Sequence, residues 1–259
     1  MEKSRFKRGT VVISIDDGDV DGFRVYENVF KKYGFGATYN IVTDLIGDAD
    51  RLSREQLEIL YNDPLIELAA HGHTHQNDDA DVSKSVECLY EWLDIKDDAI
   101  GFASPGSHMH TDFIEENAEH LRSMKLLYAR TSRNNMPTER QLQLQESLKA
   151  QGAPEFVWRN ALQITYGFDG LAVNSAAVHH DDTVADLQKL TEVAVAEKAC
   201  IVFMFHRFKK PGEVNYEGKL CYDHDRFVEF GAYLAEMRDA GKIDILTNAQ
   251  AYRLGAVEG

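Results

Sequence analysis

The sequence predicts an α/β fold, a (β/α)7-8 TIM-like barrel forming a single domain over residues 1–259. Three observations carry that reading. Short β-branched runs alternate with longer stretches of helical periodicity, which implies parallel strands joined by right-handed crossovers. Seven or eight such units fit within 259 residues, an ordinary span for one barrel. Carboxylates and histidines stand at the ends of several strands, the rim where such barrels gather their chemistry.

Strands are expected at Val11–Ile15, Ala37–Val42, Ile66–His71, Ala99–Pro105, Lys125–Arg130, Cys200–His206 and Lys242–Thr247. The helical stretches between them are DGFRVYENVFKKYG, SREQLEILYND, DVSKSVECLYEWLD, DTVADLQKLTEVAVAEK and DRFVEFGAYLAEMRDAG. Several open with Asp or Ser and close on Gly, as capped helices do. Between Met136 and His180 the segment PTERQLQLQESLKAQG reads as helix. The segment after it, FVWRNALQITYGFDGLAVNSAAVHH, reads as one or two strands. His179-His180-Asp181 reads as structural, with Asp181 or Asp182 expected to cap the following helix.

Composition narrows the partners. With 43 acidic against 28 basic residues the net charge is −15, which argues against nucleic acid or an anionic membrane as the main partner. Cys88, Cys200 and Cys221 show neither zinc-ribbon nor redox spacing and read as free thiols of a reducing compartment. No signal peptide or membrane-spanning run is visible, so a cytoplasmic protein without membrane insertion is expected. Nothing in the sequence sets an oligomeric state.

The strand ends carry the chemistry. Asp16-Asp17-Gly18 follows the first strand and His71-Gly72-His73-Thr74-His75 the third. Ala103-Ser104-Pro105-Gly106 follows the fourth, and His206 ends the apolar run CIVFMFH. Carboxylate and neutral imidazole are the ligands zinc prefers, and catalytic zinc has three protein ligands and a water. His71 and His75 are four apart and share a face if the loop makes a helical turn. Asp17 is the expected third ligand. Asp16 is then free to act as base on the water, provided the chain turns at Gly18 so that both carboxylates serve one site. His206 is the expected acid for the leaving group. Metal, base and acid together describe hydrolysis of an amide or ester.

This set resembles the polysaccharide deacetylases, carbohydrate esterase family four. Ser14-Ile15-Asp16-Asp17-Gly18 answers that family's T-F-D-D-G motif, and His71 through His75 its spaced histidine pair, with Thr74 in the hydroxyl position. Ala103-Ser104-Pro105-Gly106 faces its R-x-P-Y motif, and VFMFHRF, with His206, its last histidine. The resemblance runs from residue 11 to about 254. It implies a distorted (β/α) barrel, a divalent metal on Asp17, His71 and His75, Asp16 as base and His206 as acid. It also implies that the Gly106 N–H stabilises the oxyanion. The substrate would be an N-acetylated, or less often O-acetylated, sugar or glycan. Zinc leads among the metals, with cobalt, nickel and iron accepted by the same donors.

The third motif's arginine is Ala103 here. Without a substitute cation the pKa of Asp16 would rise; Arg130 is the expected substitute, with Arg133 and Arg159 behind it. The fourth motif is only faintly suggested, by Trp158-Arg159. His73 is expected to point away from the metal. The segment Ser107–His110 is expected to line the sugar groove, and Trp158 and Tyr222 offer rings for stacking. Two other functions compete. One is an amidohydrolase whose ligands are His71 and His73, an H-x-H pair; the other is a silent glycan-binding barrel, for which the loss of arginine at Ala103 is the support.

Overall fold

The structure, a computed structural model, describes residues 3–256. Its strands are β1 (Gly9–Ile15), β2 (Ala37–Ile41), β3 (Ile66–Ala70), β4 (Ile100–Ala103), β5 (Leu126–Thr131), β6 (Ala172–Asn174), β7 (Ala176–Ala177), β8 (Cys200–Phe205), β9 (Arg207–Lys209), β10 (Cys221–Asp223) and β11 (Ile243–Leu246). The main sheet runs β6, β5, β4, β3, β2, β1, β8, β7, all parallel, with β11 beside β1. β6 and β7 are two halves of one extended stretch. The first half pairs with β5 and the second with β8, so the sheet nearly closes on itself across Ser175. The backbone N–H and the hydroxyl of Ser175 both donate to the carbonyl of Thr131, at 2.9 and 3.0 Å. The result is a (β/α)7-8 barrel, as the alternation of elements implies.

Helices cover the outside. α1 (Val20–Val25) runs through a π turn (Tyr26–Phe30) into α2 (Lys31–Tyr33), followed by α3 (Arg54–Tyr61), α4 (Asp79–Leu93), α5 (Thr111–Glu116) and α6 (Ala118–Ser123). Then come α7 (Glu139–Ala150), α8 (Glu155–Asn160), α9 (Val184–Glu197), α10 (His224–Asp239) and α11 (Asn248–Gly255). Their starts are written in side chains. Ser53, Thr138, Thr183 and Thr247 each close a capping box with the residue three further on, which satisfies backbone N–H groups that would otherwise lack partners.

Successive residues of a strand face opposite sides. Val11, Ile13 and Ile15 of β1 therefore join the core under the helices, while Val12 joins a second core with Tyr128, Val173, Val202 and Ala251 inside the barrel. α11 plugs the lower end of that interior. Its first turn donates to the barrel lining, from Asn248 N–H to Thr38 Oγ1 at 2.8 Å and from Ala249 N–H to Glu67 at 2.9 Å. Glu67 is partly buried, and desolvation holds its carboxyl above the usual range despite donors from Ala249, Thr38 and Tyr128. Tyr128 crosses β4 where a side chain cannot stand, since a Cβ on Gly101 would collide with its hydroxyl.

Three sequence expectations change. Phe156 to Gln163 is helical rather than extended, as α8 and a 3₁₀ turn (Ala161–Gln163); Val157 and Ala161, four apart, are the buried stripe. Strand in that stretch is confined to the short β6 and β7. The cap of α9 is Thr183, and neither Asp181 nor Asp182 fills that position.

Candidate active site

At the upper rim the inward parity of four strands brings the polar residues together. Asp16 follows β1, His71 follows β3, Arg130 lies in β5 and His206 follows β8. Asp16, His71 and Arg130 are buried, and His206 nearly so. The left-handed backbone that lets both aspartates enter one site begins at Asp17 itself (φ 75°) and continues through Gly18 (φ 76°). Such a conformation strains any residue with a Cβ. The turn is tied down by Leu52 N–H on the Gly18 carbonyl at 2.9 Å and by Arg51, which reaches the Asp17 carbonyl and Asp19.

Asp17, His71 and His75 form the donor cluster, with one ligand atom from each lying within 4.8 Å of the others. His71 Nε2 and His75 Nε2 stand 3.4 and 3.5 Å from Asp17 Oδ1. Tetrahedral bonds of about 2.0–2.1 Å would separate ligand atoms by roughly 3.3 Å, so the set fits a zinc-sized divalent cation. The second nitrogen of His71, Nδ1, pairs with the carbonyl of Ala103 at 2.8 Å, which turns Nε2 toward Asp17. Burial raises the Asp17 carboxyl, but the hydrogen bond and charge of His71 outweigh it and hold the group well below the usual carboxylate range. Burial lowers His71, and the two aspartates reverse that and raise it. His75, desolvated and beside His71, is lowered.

The two histidines do not share a helical face. Residues 71–78 are an irregular loop, and α4 begins only at Asp79. His75 reaches the cluster because its own backbone is left-handed (φ 64°). His73 points away, its Nδ1 2.9 Å from Thr43 Oγ1, so the His71–His73 pair of the competing reading is not formed.

Asp16 is gripped rather than orphaned. Arg130 Nη2 donates to its two oxygens at 2.5 and 2.6 Å, and Asn40 Nδ2 donates to Oδ1 at 2.7 Å. Burial pushes the Asp16 carboxyl up, but Arg130, His71 and His206 together bring it below its ordinary value. Arg130 is fully buried, so it touches Asp16 and not the open groove. His206 Nε2 is 3.9 Å from Asp16 Oδ2, and its Nδ1 has no partner among the described residues. A cleft of about 990 Å³ opens beside them, lined by Asp16, Gly106, Arg133, Phe156, His179 and His206 among others.

The remaining candidates sort by position. Gly106 and Ser107 line the cleft, whereas His110 pairs with Arg133. Arg133 and Arg159 lie on the cleft wall, and the cation that pairs with Asp16 is Arg130. Tyr222 cannot stack on a ligand, because its ring is buried against Phe205 at 5.4 Å. Trp158 is partly buried and carries Lys149 over its ring. His179 and Asp182, structural by sequence, stand on the cleft wall. Asn40 and Asp81 escape the sequence reading altogether. Asn40 carries a signal even so, since asparagine is disfavoured inside a strand.

Residues 3–123 match the family model for polysaccharide deacetylase, and the rest of the chain lies outside that match. Two solved structures share its fold over nearly the whole chain. The Bc1960 peptidoglycan N-acetylglucosamine deacetylase is 10% identical with a TM-score of 0.53, over 96% of this chain and 91% of that one. A family 4 acetyl xylan esterase from Clostridium thermocellum, in complex with a cobalt ion, is 11% identical with a TM-score of 0.50, over 95% and 91%. IcaB from Ammonifex degensii is 21% identical with a TM-score of 0.40 over 48% of this chain, which spans 60% of that structure. No curated protein gives a significant match.

Proposed function

We propose that the chain is a metal-dependent hydrolase that removes acetyl groups from N-acetylated, or less often O-acetylated, sugars or glycans, working as one catalytic domain. The observation that carries this reading is the meeting of two groups. One is an Asp17-His71-His75 donor set that fits a divalent cation; the other is Asp16, a carboxylate held by a buried arginine. The family match over residues 3–123 supports the acetylated-sugar class.

Asp17, His71 and His75 would hold the cation, with zinc favoured by the donor set and cobalt, nickel or iron accepted by it. When bound, such an ion acidifies a water and polarises the acetyl carbonyl. Asp16 accepts the proton of the attacking water. Arg130 and Asn40 keep it ionised and aimed, so it is ready to take a proton at neutral pH. The water oxygen adds to the acetyl carbon, and the Gly106 N–H on the cleft wall stabilises the resulting oxyanion, a contribution of about 3 kcal/mol for such donors. His206 then protonates the leaving nitrogen or oxygen as its bond to the acetyl carbon breaks, releasing acetate and the deacetylated sugar.

The test is acetate release from N-acetylglucosamine oligomers after chelation and after zinc or cobalt is returned, with wild type and Asp16→Asn side by side. Release that returns with metal and is lost in Asp16→Asn is the expected result. Metal-independent glycan binding, with no acetate from any acetylated sugar, would favour the silent binding barrel instead.

A further inference from the structure

We propose that Asp81, in the first turn of α4, is the positioning residue that presents His75 to the metal cluster; this rests on the metal-site reading above. The loop from Gly72 to Gln76 is folded around its carboxylate. Oδ2 accepts from the backbone N–H groups of His73 and Gln76, at 2.8 and 2.9 Å. Oδ1 accepts from the backbone N–H and the hydroxyl of Thr74, at 2.8 and 2.7 Å. Three main-chain donors on either side of His75 thus converge on one side chain.

That arrangement answers a specific cost. His75 is left-handed at φ 64°, a conformation that strains a residue with a Cβ and persists only where the surroundings over-determine it. Hydrogen bonds to a carboxylate are about twice as strong as neutral ones, and four of them bracket this residue. Gly72 completes the fit. It is also left-handed (φ 76°), and a Cβ there would lie 2.6 Å from Asp81 Oδ2 and 2.8 Å from the Gln76 carbonyl. The loop therefore closes on Asp81 only with glycine at position 72. His71, by contrast, is held by the end of β3 and by the Ala103 carbonyl, and Asp17 by the turn that Arg51 and Leu52 tie down, so Asp81 governs the ligand that none of these contacts fixes.

Zn²⁺ and Co²⁺ titrations of the full chain, followed by calorimetry and by cobalt absorbance, test this without reference to turnover. Asp81→Ala is expected to weaken metal affinity by about 10–100-fold, the range seen when the support of a ligand is removed. Asp81→Asn, which keeps the shape but not the charge, is expected to fall between it and wild type. Asp78→Ala removes the cap of α4, whose side chain accepts from Asp81 N–H, without touching the loop donors, and is expected to bind metal like wild type. Wild-type affinity in Asp81→Ala overturns the inference and leaves the site intact. Equal losses in the Asp78 and Asp81 variants also overturn it, by showing a general effect of the helix start. No metal binding by wild type, or none lost in His71→Ala, overturns the site reading itself. If Asp81→Ala does not fold, Asp81→Asn with wild-type affinity has the same overturning force.

Discussion

Arg130 donates to both carboxylate oxygens of Asp16 across 114 positions of sequence, and it is also the register partner of Ala103 on the neighbouring strand. The arginine that the family motif expects at position 103 and the arginine found at 130 therefore occupy one rung of the sheet. Neighbouring strands lie about 4.8 Å apart, so a guanidinium from either position can reach the same carboxylate.

Removing one partner of a buried ion pair leaves an uncompensated charge. Arg130→Met is therefore expected to destabilise the fold by about 3–5 kcal/mol in urea unfolding at neutral pH. Ala103→Arg in that background should recover part of the loss, whereas Ala103→Arg alone should destabilise by forcing a second guanidinium into a filled interior. A cost below about 1 kcal/mol for Arg130→Met, the scale of an exposed pair, would mean that Asn40 and the histidines suffice to hold Asp16.

Metal addition supplies a second test. A ligand at a hundred times its dissociation constant stabilises by about 2.7 kcal/mol, which for a chain of this size raises Tm by about 5–10 °C. After chelation, returned zinc should produce that shift in wild type and in His73→Ala, and none in Asp17→Ala or His71→Ala. A shift lost in His73→Ala would reassign the ligands.

Much of this is legible from local signals. Strand ends show through β-branched runs halted by Asp-Asp-Gly and by the histidine-rich loop, and strand parity then explains why Asp16, His71 and His206 point inward together. Arg130 is legible because it closes an apolar strand. Asp81 is not, because an acid in a first helical turn is favoured by the helix dipole anyway and so carries no distinct signal. The left-handed backbone of Asp17 and His75 is imposed by contacts from Arg51 and Asp81, far along the chain or across a loop. α8 is hidden because a short apolar run fits helix or strand equally well, and packing decides.

Asp182, on the cleft wall, should make stability fall as pH rises. Burial pushes its carboxyl up to about 6, and the His179 N–H bond only partly opposes this. The folded state then binds a proton more tightly than the unfolded chain, whose aspartates titrate near about 3.9. Between about pH 4 and pH 6 the folded state holds more protons, so this group's contribution to stability declines across that window and is lost above it. Asp182→Asn keeps the acceptor for His179 and should flatten that part of the stability profile, leaving the variant more stable than wild type at about pH 7. An unchanged slope would show that Asp182 is solvated in the folded protein.

Tyr222 makes a prediction of opposite sign to most substitutions. Its ring is packed against Phe205 in the core, while its hydroxyl is buried without a partner among the described residues. Burial drives the phenol above its ordinary pKa, as expected where the anion would have no support. An unpaired buried hydroxyl costs about 1–3 kcal/mol of desolvation with no bond to offset it. Tyr222→Phe removes that group and leaves the packing ring in place. The variant should gain about 1 kcal/mol, a rise in Tm of about 2–4 °C. Its KM for any acetylated sugar should match wild type, because the ring never reaches the cleft. Destabilisation by about 1 kcal/mol or more would instead reveal a buried water bonded to the hydroxyl.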